Sequence, residues 1–432
     1  MANTTGKVKK REGVALLLTG SELMSGDILD SNSAMLAHLL SDRGIEVSEK
    51  CTLADDKELL IQAIERLSRE YRCLIINGGL GPTSDDLTAE ALAAASDRAL
   101  EVNAIADKHV RSWCQKRGHE ANTANLKQSI LPQDALILTE SPGSAVAFYI
   151  VHNDCLILAT PGVPSELKTI MLRQACQLIQ EHLNVAAISL WQRYTLFGMG
   201  ESQLQQLIDV KLPQLQDYYE IGYRAGLPTL ELKLKSRPFK EDINNAVINK
   251  ALSILNPYII GHGAVTLAEC VVQLLKDNKQ TISFAESCTG GLIASQITGV
   301  PGSSSVFPGA IVSYSNAMKV RLLGVDDNLL NTYGAVSEEV ANAMHSGVLK
   351  IVNSDYAVAV TGVAGPDGGS DEKPVGSVWI AWGSTEQSYC EKLLLKHNRQ
   401  DFQKLVAAIA FDLIRRQLLK LDPCASIKRW VQ

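Results

Sequence analysis

The first part of the chain alternates short apolar runs with stretches of helical spacing. Continuous apolar runs at Gly13–Leu18, Cys73–Ile76 and Cys155–Ala159 predict buried strands, and Asn32–Arg43 has the apolar spacing of a helix. Apolar strands that alternate with amphipathic helices are typical of a mainly parallel sheet covered on both faces. We therefore predict one α/β domain over residues 1–184.

A different pattern follows residue 184. Thr229–Lys235 alternates apolar with polar positions, which predicts a half-exposed strand, and Glu241–Leu255 has the pattern of a helix. Together they predict a small α+β module over residues 185–263. The sequence assigns no chemistry to this module, so we interpret it as a connector.

From Val265 onwards the chain again alternates strands and helices. The pattern predicts helices at Leu267–Lys276, Thr289–Ile297, Asn316–Leu323, Ser337–Asn353 and Asp401–Leu419, and strands at Thr281–Ala285, Gly309–Tyr314, Tyr356–Thr361 and Val375–Trp382. This order predicts a third domain, also of the α/β class, over residues 264–432. No internal repeat relates it to the first domain.

Composition excludes several classes of protein. Hydrophobic residues make up 46% and charged residues 20% of the 432 positions, whereas a disordered or fibrous chain would depart from this balance. The net charge is −6, and the short Lys7–Arg11 cluster is the only basic run. We therefore expect no binding to nucleic acid, because that function requires a basic surface.

Cysteines and apolar runs indicate where the protein works. The nine cysteines include no Cys-x-x-Cys pair, which favours reduced thiols. The segment Met1–Gly13 is polar and lacks the apolar core of a signal peptide. No apolar run reaches the roughly 18 residues of a membrane span. We expect a cytoplasmic protein that does not bind membranes.

A strand-turn-helix junction carries the first candidate chemistry. An apolar strand ends at Glu286, Ser287 follows at the turn, and Gly290 and Gly291 allow a helix to begin close to the sheet. Ligands of α/β proteins bind at this edge of the sheet. The free N–H groups of the new helix favour a negative charge, either a ligand phosphate or an oxyanion. The alternative is that Ser287 or Thr289 only caps the helix.

A second strand end carries a lysine. The strand ends near Tyr314, Ser315 or Asn316 can cap the next helix, and Lys319 falls in its first turn. A helix N-terminus disfavours a cation, so we expect the pKa of Lys319 to be lowered. Such a lysine can act as a base toward a serine hydroxyl. The alternatives are that Lys319 is a solvated surface residue and Tyr314 a half-buried strand residue.

A glycine-rich loop follows a third strand, over Thr361–Pro374. Its backbone can approach a ligand closely and form an anion-binding concavity. It is not a Walker loop, because no Gly-Lys-Ser/Thr ends it. Alone it is a weak signal, but Ser287, Lys319 and Thr361 at three strand ends of one sheet edge are a stronger one. The loop glycines are Gly362, Gly365, Gly368 and Gly369.

Two loops of the first domain also follow apolar strands, at Thr19–Ser33 and Asn77–Thr88, and Thr160–Glu166 forms a third. Their glycines can wrap a phosphate, and their carboxylates are the hard oxygen ligands of a magnesium-type ion. The alternative is that Asp85 or Asp86 caps a helix near Leu87. We predict ligand binding by Gly78, Gly79, Gly81 and Thr83, and metal binding by Asp85, Asp86, Glu22 and Asp30.

The segments AESCTGG, PGSSSVFPGAIVSYSNAMK, GAVSEEV and TGVAGPDGGSDEKPVGSVW follow one another between Thr281 and about Trp382. They resemble the C-terminal domain of the competence/damage-inducible protein CinA family. The resemblance implies hydrolysis of nicotinamide mononucleotide to nicotinic acid mononucleotide and ammonia, without a cofactor. It implies Ser287 as nucleophile, Lys319 as its base and Tyr314 as an assisting residue. It implies that Thr361 and its loop, with Gly362 and Gly365, hold the nucleotide. We also predict substrate binding by Thr289, Gly290, Gly291 and Arg399.

One run departs from the family pattern. The family usually has Gly-Asp-Arg before the last helix, where this chain has His397, Asn398 and Arg399. Arg399 can still hold a phosphate, but the missing aspartate leaves its orientation open. Cys288 is a rival nucleophile without an evident imidazole partner, so we rank it below Ser287.

The loops within Gly13–Lys168 resemble the N-terminal domain of the same family, which is related to the molybdopterin-binding proteins MoaB and MogA. The resemblance implies a three-layer α/β fold and, in some members, an ADP-ribose pyrophosphatase that depends on a divalent metal (Mg, Mn or Co). Two alternatives follow: this activity is the main or second one, or the chain is a non-catalytic, competence-related nucleotide-binding protein. We expect nucleotide substrates and, by resemblance and base rates, a homodimer.

Overall fold

The computed structural model describes residues 10–138, 141–184, 191–237, 241–428 and 430. The chain divides into two compact units, Met1–Trp191 and Gln192–Gln432. The predicted domain limit between residues 184 and 185 falls at the segment 185–190, which lies outside the described residues. Most of the basic cluster at 7–11 also lies outside them. Within the described ranges, no helix has both the length and the apolar character needed to cross a bilayer.

The first unit alternates strands and helices. Its elements are β1 (Arg11–Thr19), α1 (Ser21–Ser25), α2 (Asn32–Ser41), β2 (Val47–Leu53), α3 (Lys57–Glu70), β3 (Tyr71–Asn77), α4 (Thr88–Ala95), β4 (Leu100–Val102), α5 (Ala104–Gln115), α6 (Thr123–Lys127), β5 (Ile130–Pro132), β6 (Leu136–Ile137), β7 (Phe148–His152), β8 (Cys155–Thr160), α7 (Pro164–Ile170) and α8 (Cys176–Leu183). The apolar runs predicted as strands are the central strands β1, β3 and β8.

The main sheet of this unit has the order β2-β1-β3-β8-β7-β6. The pairs β2–β1, β1–β3 and β3–β8 are parallel. Strand β7 pairs with both β8 and β6 in antiparallel fashion. Adjacent residues of one strand enter different cores: Leu16 and Ile75 lie in one cluster, Leu17 and Ile76 in the other. Because successive strand side chains point to opposite faces, both faces are covered, which confirms the three-layer α/β fold.

The second unit begins with a four-stranded sheet of order β10-β11-β9-β12. Its elements are β9 (Trp191–Leu196), α9 (Glu201–Lys211), α10 (Leu215–Tyr218), β10 (Tyr219–Ala225), β11 (Leu230–Ser236), α11 (Glu241–Leu255) and β12 (Ile259–His262). The alternation predicted for Thr229–Lys235 is present, since Leu230, Leu232 and Leu234 are buried in the core of this sheet. The small α+β fold expected here is therefore correct.

The rest of the second unit builds a five-stranded sheet. Its elements are α12 (Leu267–Asn278), β13 (Ile282–Glu286), α13 (Leu292–Thr298), β14 (Gly309–Val312), α14 (Asn316–Leu323), α15 (Asp327–Tyr333), α16 (Glu338–Val352), β15 (Tyr356–Gly362), β16 (Ser377–Gly383), β17 (Ser388–Leu394) and α17 (Arg399–Leu418). The order is β14-β13-β15-β16-β17. Residues of α12, α13 and α17 form the core on one face, and residues of α16 form the core on the other.

The pairing of this sheet places three loops at one edge. Strand β13 runs parallel to both β14 and β15, and Glu286 at its end is level with Val312 and Val360. The loops that follow these three strands therefore leave the sheet side by side. They contain Ser287, Tyr314 and Thr361.

Candidate active site

Ser287 follows β13 directly and is 8% exposed. Its N–H donates to the carbonyl oxygen of Val360 in β15 at 3.1 Å, which ties the turn to the neighbouring strand. Gly290 and Gly291 have φ values of 64° and 97°, in the left-handed region that favours glycine. Helix α13 therefore begins at Leu292, three residues later than the sequence pattern predicts.

The N-terminus of α13 is capped by Glu286, the last residue of the strand. Its fully buried carboxylate accepts the N–H groups of Gly291 (3.0 Å), Ile293 (3.1 Å) and Ala294 (2.8 Å). The expectation that Ser287 or Thr289 caps this helix is wrong. The expectation that these N–H groups bind a phosphate or an oxyanion is also wrong, because a protein carboxylate already uses them. In the sequence, a charged residue at the end of an apolar strand is the signal that could have identified this capping role.

Lys319 is 1% exposed, so the expectation of a solvated surface lysine is wrong. Its Nζ lies 3.0 Å from Oγ of Ser287, 2.8 Å from the carbonyl oxygen of Ser313 and 3.4 Å from that of Tyr314. Desolvation by burial lowers the pKa of Lys319 below its ordinary value of 10.5, and the nearby Cys288 opposes this shift in part. The direction agrees with the sequence analysis, but burial is the first cause rather than the helix N-terminus.

These three contacts fit both protonation states of Lys319: an ammonium donates to all three oxygens, whereas a neutral amine donates to two of them and accepts from the Ser287 hydroxyl. A neutral lysine has two N–H donors and one lone pair, and the carbonyl oxygens of Ser313 and Tyr314 can accept both hydrogens. The lone pair is then free to accept the O–H of Ser287. A neutral lysine in this geometry has the chemistry of a general base toward a serine hydroxyl, without an imidazole.

Tyr314 lies at the open side of the site. Its side chain is 60% exposed, and its hydroxyl accepts a hydrogen bond from Arg399 at 2.9 Å. The other guanidinium nitrogen of Arg399 donates to the carbonyl oxygen of Gly365 at 2.9 Å. Asn398 caps α17 by accepting the N–H of Asp401. The orientation of Arg399 is thus fixed by Gly365 and Tyr314, and Asn398 takes the capping role open to an aspartate.

The glycine-rich loop is held by packing. Thr361 is 1% exposed and its hydroxyl donates to the carbonyl oxygen of Ala335 at 2.7 Å. A Cβ atom on Gly362 would lie 2.7 Å from the carbonyl oxygen of Ser377, and one on Gly365 would lie 2.5 Å from Val375. Close packing therefore requires both glycines.

The turn that carries Ser287 borders open space. A Cβ atom on Gly290 would meet no atom within 4 Å, and one on Gly291 would meet only Val312 at 3.5 Å. Thr289 is 3% exposed, and its hydroxyl has no hydrogen-bond partner among the described residues. Open space therefore adjoins Gly290 and Gly291, three and four residues after Ser287.

Cys288, the rival candidate, has a buried thiol. It is 4% exposed, and burial raises the pKa of its thiol to about 12. Its carbonyl oxygen accepts a hydrogen bond from Gln403 of α17 at 2.8 Å, a contact that the sequence did not predict.

His345 lies away from Ser287. Its Nε2 contacts the carbonyl oxygen of Gly383. Gly383 pairs with Ala357 near the start of β15, so it lies at the edge of the sheet opposite to Ser287.

The loops of the first unit are shaped by local contacts. A Cβ atom on Gly78 would lie 2.5 Å from the carbonyl oxygen of Thr19, and one on Gly81 would lie 2.5 Å from the Asp86 carboxylate. That carboxylate accepts the N–H of Thr83 at 2.8 Å and also its hydroxyl. Gly79 has a φ of 64° and adjoins the same loop. Helix α4 has no side-chain cap, so the expectation that Asp85 or Asp86 caps it is wrong.

The four carboxylates expected to bind a metal do not converge. Glu22, Asp85 and Asp86 line a cavity of about 380 Å³ beside the glycine loop. Asp30 lines a second cavity, which Glu22 also borders, and accepts the N–H and hydroxyl of Ser33. Among the described residues, no three histidine, cysteine, aspartate or glutamate side chains are grouped to hold a metal ion. The arrangement does not fit the expected site, since Asp30 and Asp86 already accept hydrogen bonds from protein groups.

Comparison with known proteins places both units in a family. The family model described as CinA C-terminal domain matches residues 264–418, and the model described as probable molybdopterin binding domain matches residues 15–181. A CinA-like protein of Colwellia psychrerythraea strain 34H is 46% identical over 407 residues, which cover 93% of this chain and 94% of the relative. A CinA-like protein of Shewanella piezotolerans strain WP3 is 37% identical over 421 residues, covering 96% and 99%.

A solved structure also matches. The crystal structure of competence/damage inducible protein CihA from Agrobacterium tumefaciens is 37% identical, covers 35% of this chain and 93% of its own, and has a TM-score of 0.35. The two CinA-like relatives match over nearly their whole length and that of this chain. The chain therefore belongs to the CinA family.

Proposed function

We propose that the C-terminal domain hydrolyses the carboxamide of nicotinamide mononucleotide, giving nicotinic acid mononucleotide and ammonia. The observation that carries this proposal is the 3.0 Å contact between Nζ of Lys319 and Oγ of Ser287, made where Lys319 is buried and its pKa is lowered. Amide hydrolysis needs an activated nucleophile and a proton for the leaving nitrogen. One lysine beside one serine can supply both. The choice of substrate follows the resemblance to the CinA C-terminal domain.

The acylation half-reaction follows from the contacts. Neutral Lys319 accepts the hydroxyl proton of Ser287 as Oγ bonds to the carboxamide carbon, and the carbonyl electron pair moves onto oxygen. The Lys319 ammonium then donates this proton to the nitrogen, the C–N bond breaks and ammonia leaves. An ester of Ser287 remains, and Lys319 is neutral again, so one group acts as base and then as acid.

The deacylation half-reaction reverses these roles. Lys319 accepts a proton from water while the water oxygen bonds to the ester carbon. The bond to Oγ of Ser287 then breaks, and Lys319 returns the proton to that oxygen. The nicotinic acid product loses its own proton to solvent. Lys319 and Ser287 end in their starting states.

Substrate binding is proposed for the open side of the site. Arg399 is exposed there and its guanidinium is held by Gly365 and Tyr314, which directs a planar donor toward the loops. A guanidinium suits a phosphate because it donates two parallel hydrogen bonds. The space over Gly290 and Gly291 gives the pyridine ring access to Ser287.

The test is release of ammonia from nicotinamide mononucleotide by the purified full chain. We expect release by the wild type, none by Ser287→Ala, and unchanged release by Ser295→Ala, which alters an exposed serine of α13. Circular dichroism checks that each variant is folded. Ammonia release by Ser287→Ala at the wild-type rate would remove Ser287 as the nucleophile.

A chelator arm separates the two domains. We expect a chelator to leave the amidase unchanged and to stop any cleavage of ADP-ribose by the N-terminal domain. Equal sensitivity of both reactions to the chelator would mean that the metal has been assigned to the wrong domain. No observation on the described residues favours ADP-ribose cleavage or a non-catalytic role over the amidase. Cytoplasmic location and a homodimer also stay predictions.

A further inference from the structure

Helix α17 contacts the active-site loops from its first two turns. Arg399 donates to the carbonyl oxygen of Gly365 and to the hydroxyl of Tyr314, and Gln403 donates to the carbonyl oxygen of Cys288 at 2.8 Å. Residues four apart on a helix share one face. One face of α17 therefore holds loops from three different strands, including the turn that carries the nucleophile.

The bond from Gln403 fixes the peptide unit that joins Cys288 to Thr289. A peptide unit is planar, so the direction of its carbonyl also sets the direction of its N–H. The N–H of Thr289 donates to no acceptor among the described residues. It lies two residues after Ser287, beside which a negatively charged substrate oxygen would develop during amide cleavage. The hydrogen bond that Gln403 donates to the Cys288 carbonyl can thus control the direction of the Thr289 N–H.

We propose that Gln403 is a positioning residue of the amidase, which orients the Cys288–Thr289 peptide so that the Thr289 N–H stabilises the developing oxyanion. This role rests on the proposed function. Gln403 does not touch the substrate; it acts through the backbone next to the nucleophile. The N-terminus of α13 does not replace this donor, because Glu286 already accepts the N–H groups of Gly291, Ile293 and Ala294.

Two substitutions of similar length test this role. Gln403→Met removes the donor, and Gln403→Glu places a carboxylate oxygen against the Cys288 carbonyl. Removing an oxyanion donor outright lowers kcat by roughly 100- to 1,000-fold, so we expect a loss of about tenfold or more when the donor is only misdirected. Gln403→Glu should be the slower variant. Gln400→Met, an exposed position on the same helix, is the matched control with wild-type rates.

Three readouts distinguish positioning from a structural role. The loss should fall on kcat, with KM within about twofold of wild type, since the groups that bind substrate are unchanged. The pH at which the rate reaches half its maximum should not move, because the contacts of Lys319 are intact. Melting followed by circular dichroism should show each variant folded at the assay temperature. A wild-type kcat in Gln403→Met, or a loss explained by unfolding, would overturn the proposal.

A second substrate separates this proposal from the choice of nicotinamide mononucleotide. With p-nitrophenyl acetate, Oγ of Ser287 bonds to the acetyl carbon, the bond to p-nitrophenolate breaks, and Lys319 takes the serine proton. We expect a burst of p-nitrophenolate that Ser287→Ala abolishes and Gln403→Met slows about tenfold. If Gln403→Met slows this burst but the wild type releases no ammonia from nicotinamide mononucleotide, the function fails and the positioning role stands; a burst that Gln403→Met leaves at the wild-type rate would overturn the positioning role. No burst and no ammonia release would overturn both.

Discussion

The carboxylate of Glu286 accepts the N–H of Ala294 at 2.8 Å, across the turn that carries Ser287. A serine at a strand-to-helix turn often caps the helix, and its hydroxyl then faces the backbone. Here the preceding strand supplies the cap, so the hydroxyl of Ser287 is free to meet Lys319. Glu286 thus helps to bring together the proposed nucleophile and its proposed base, although it contacts neither the substrate nor Lys319 in the proposed mechanism.

We expect Glu286→Gln to weaken both stability and catalysis. The amide has one acceptor oxygen instead of two, and its NH₂ group would face a backbone N–H. Hydrogen bonds to charged groups contribute roughly 1.5–3 kcal/mol each, so we expect a loss of about 3 kcal/mol in the free energy of unfolding. Urea denaturation measures this loss. Ammonia release, assayed below the melting temperature, should fall because Ser287 can then turn toward the helix.

Glu338→Gln is the matched control, since Glu338 is an exposed glutamate in the first turn of α16. Its stability should change by less than about 0.5 kcal/mol, as usual for surface substitutions. The interpretation of Glu286 fails if its variant keeps both wild-type stability and wild-type rate.

The rate of ammonia release should rise with pH. Burial lowers the pKa of Lys319 below 10.5, so the active neutral amine gains population as pH rises through that lowered pKa and then reaches a plateau. Lys319→Arg should be inactive at every pH up to about 10, because arginine keeps its proton. Lys404→Arg, at an exposed lysine of α17, should keep the wild-type profile. A pH-independent rate in the wild type would contradict the lysine base.

Lys319 also makes stability depend on pH. Between its lowered folded pKa and 10.5, the unfolded chain binds a proton that the folded chain does not. The free energy of unfolding therefore increases as pH rises through this window, and below it Lys319 is a constant cost. Lys319→Met should remove this dependence and be more stable than wild type at low pH. Urea midpoints measured across pH check this, and equal slopes for both proteins would count against the buried neutral lysine.

Cys288 should be dispensable for the reaction. Burial raises the pKa of its thiol to about 12, so the thiolate is scarce at neutral pH. We expect Cys288→Ala to release ammonia within a few-fold of the wild-type rate. We also expect N-ethylmaleimide at pH 7 to leave Cys288 unmodified in the folded protein, as read by peptide mass spectrometry. Inactivation that tracks with modification of Cys288 would make it the nucleophile.

Local signals explain which elements the sequence predicts well. The expected limits of α14, Asn316–Leu323, match the structure, because Ser315 caps the start and Gly324 ends the helix in a left-handed conformation. The start of α13 is missed by three residues, since Gly290 and Gly291 extend the turn and the cap comes from the strand. Apolar runs find the central strands, but the half-exposed edge strand β17 (Ser388–Leu394) has no clear period.

In the candidate site, too, local signals predict some features and miss others. Strand ends and glycines bring Ser287 and Lys319 to one edge, as the sequence predicts. The bond from Gln403 to Cys288 joins positions 115 residues apart, and no local pattern announces such a contact. The carboxylates expected to bind a metal lie in two loops that follow neighbouring strands, but side chains such as Asp86 accept N–H and O–H groups of their own loop instead. The spacing of residues predicts which strand ends meet at one edge of a sheet, whereas tertiary contacts decide which polar side chains there are free to bind a ligand.

A buried ion pair ties α17 to the backbone before β12. Asp412 and Arg415 are fully buried, 2.7 Å apart, and Arg415 donates to the carbonyl oxygens of Pro257 (2.9 Å) and Ile259 (3.1 Å). The second oxygen of the Asp412 carboxylate accepts the hydroxyl of Ser426. This contact joins the small α+β module to the helix whose first residue is Arg399.

We expect Asp412→Ala to lower the free energy of unfolding by about 3–5 kcal/mol, because it leaves the guanidinium of Arg415 buried without its counter-charge. Lys404→Ala breaks an exposed ion pair with Asp401 on the same helix and should cost less than about 1 kcal/mol. Urea midpoints of the two variants, measured side by side, make the comparison. Equal and small losses would show that solvent reaches Arg415, and that the contacts with Pro257 and Ile259 do not depend on Asp412.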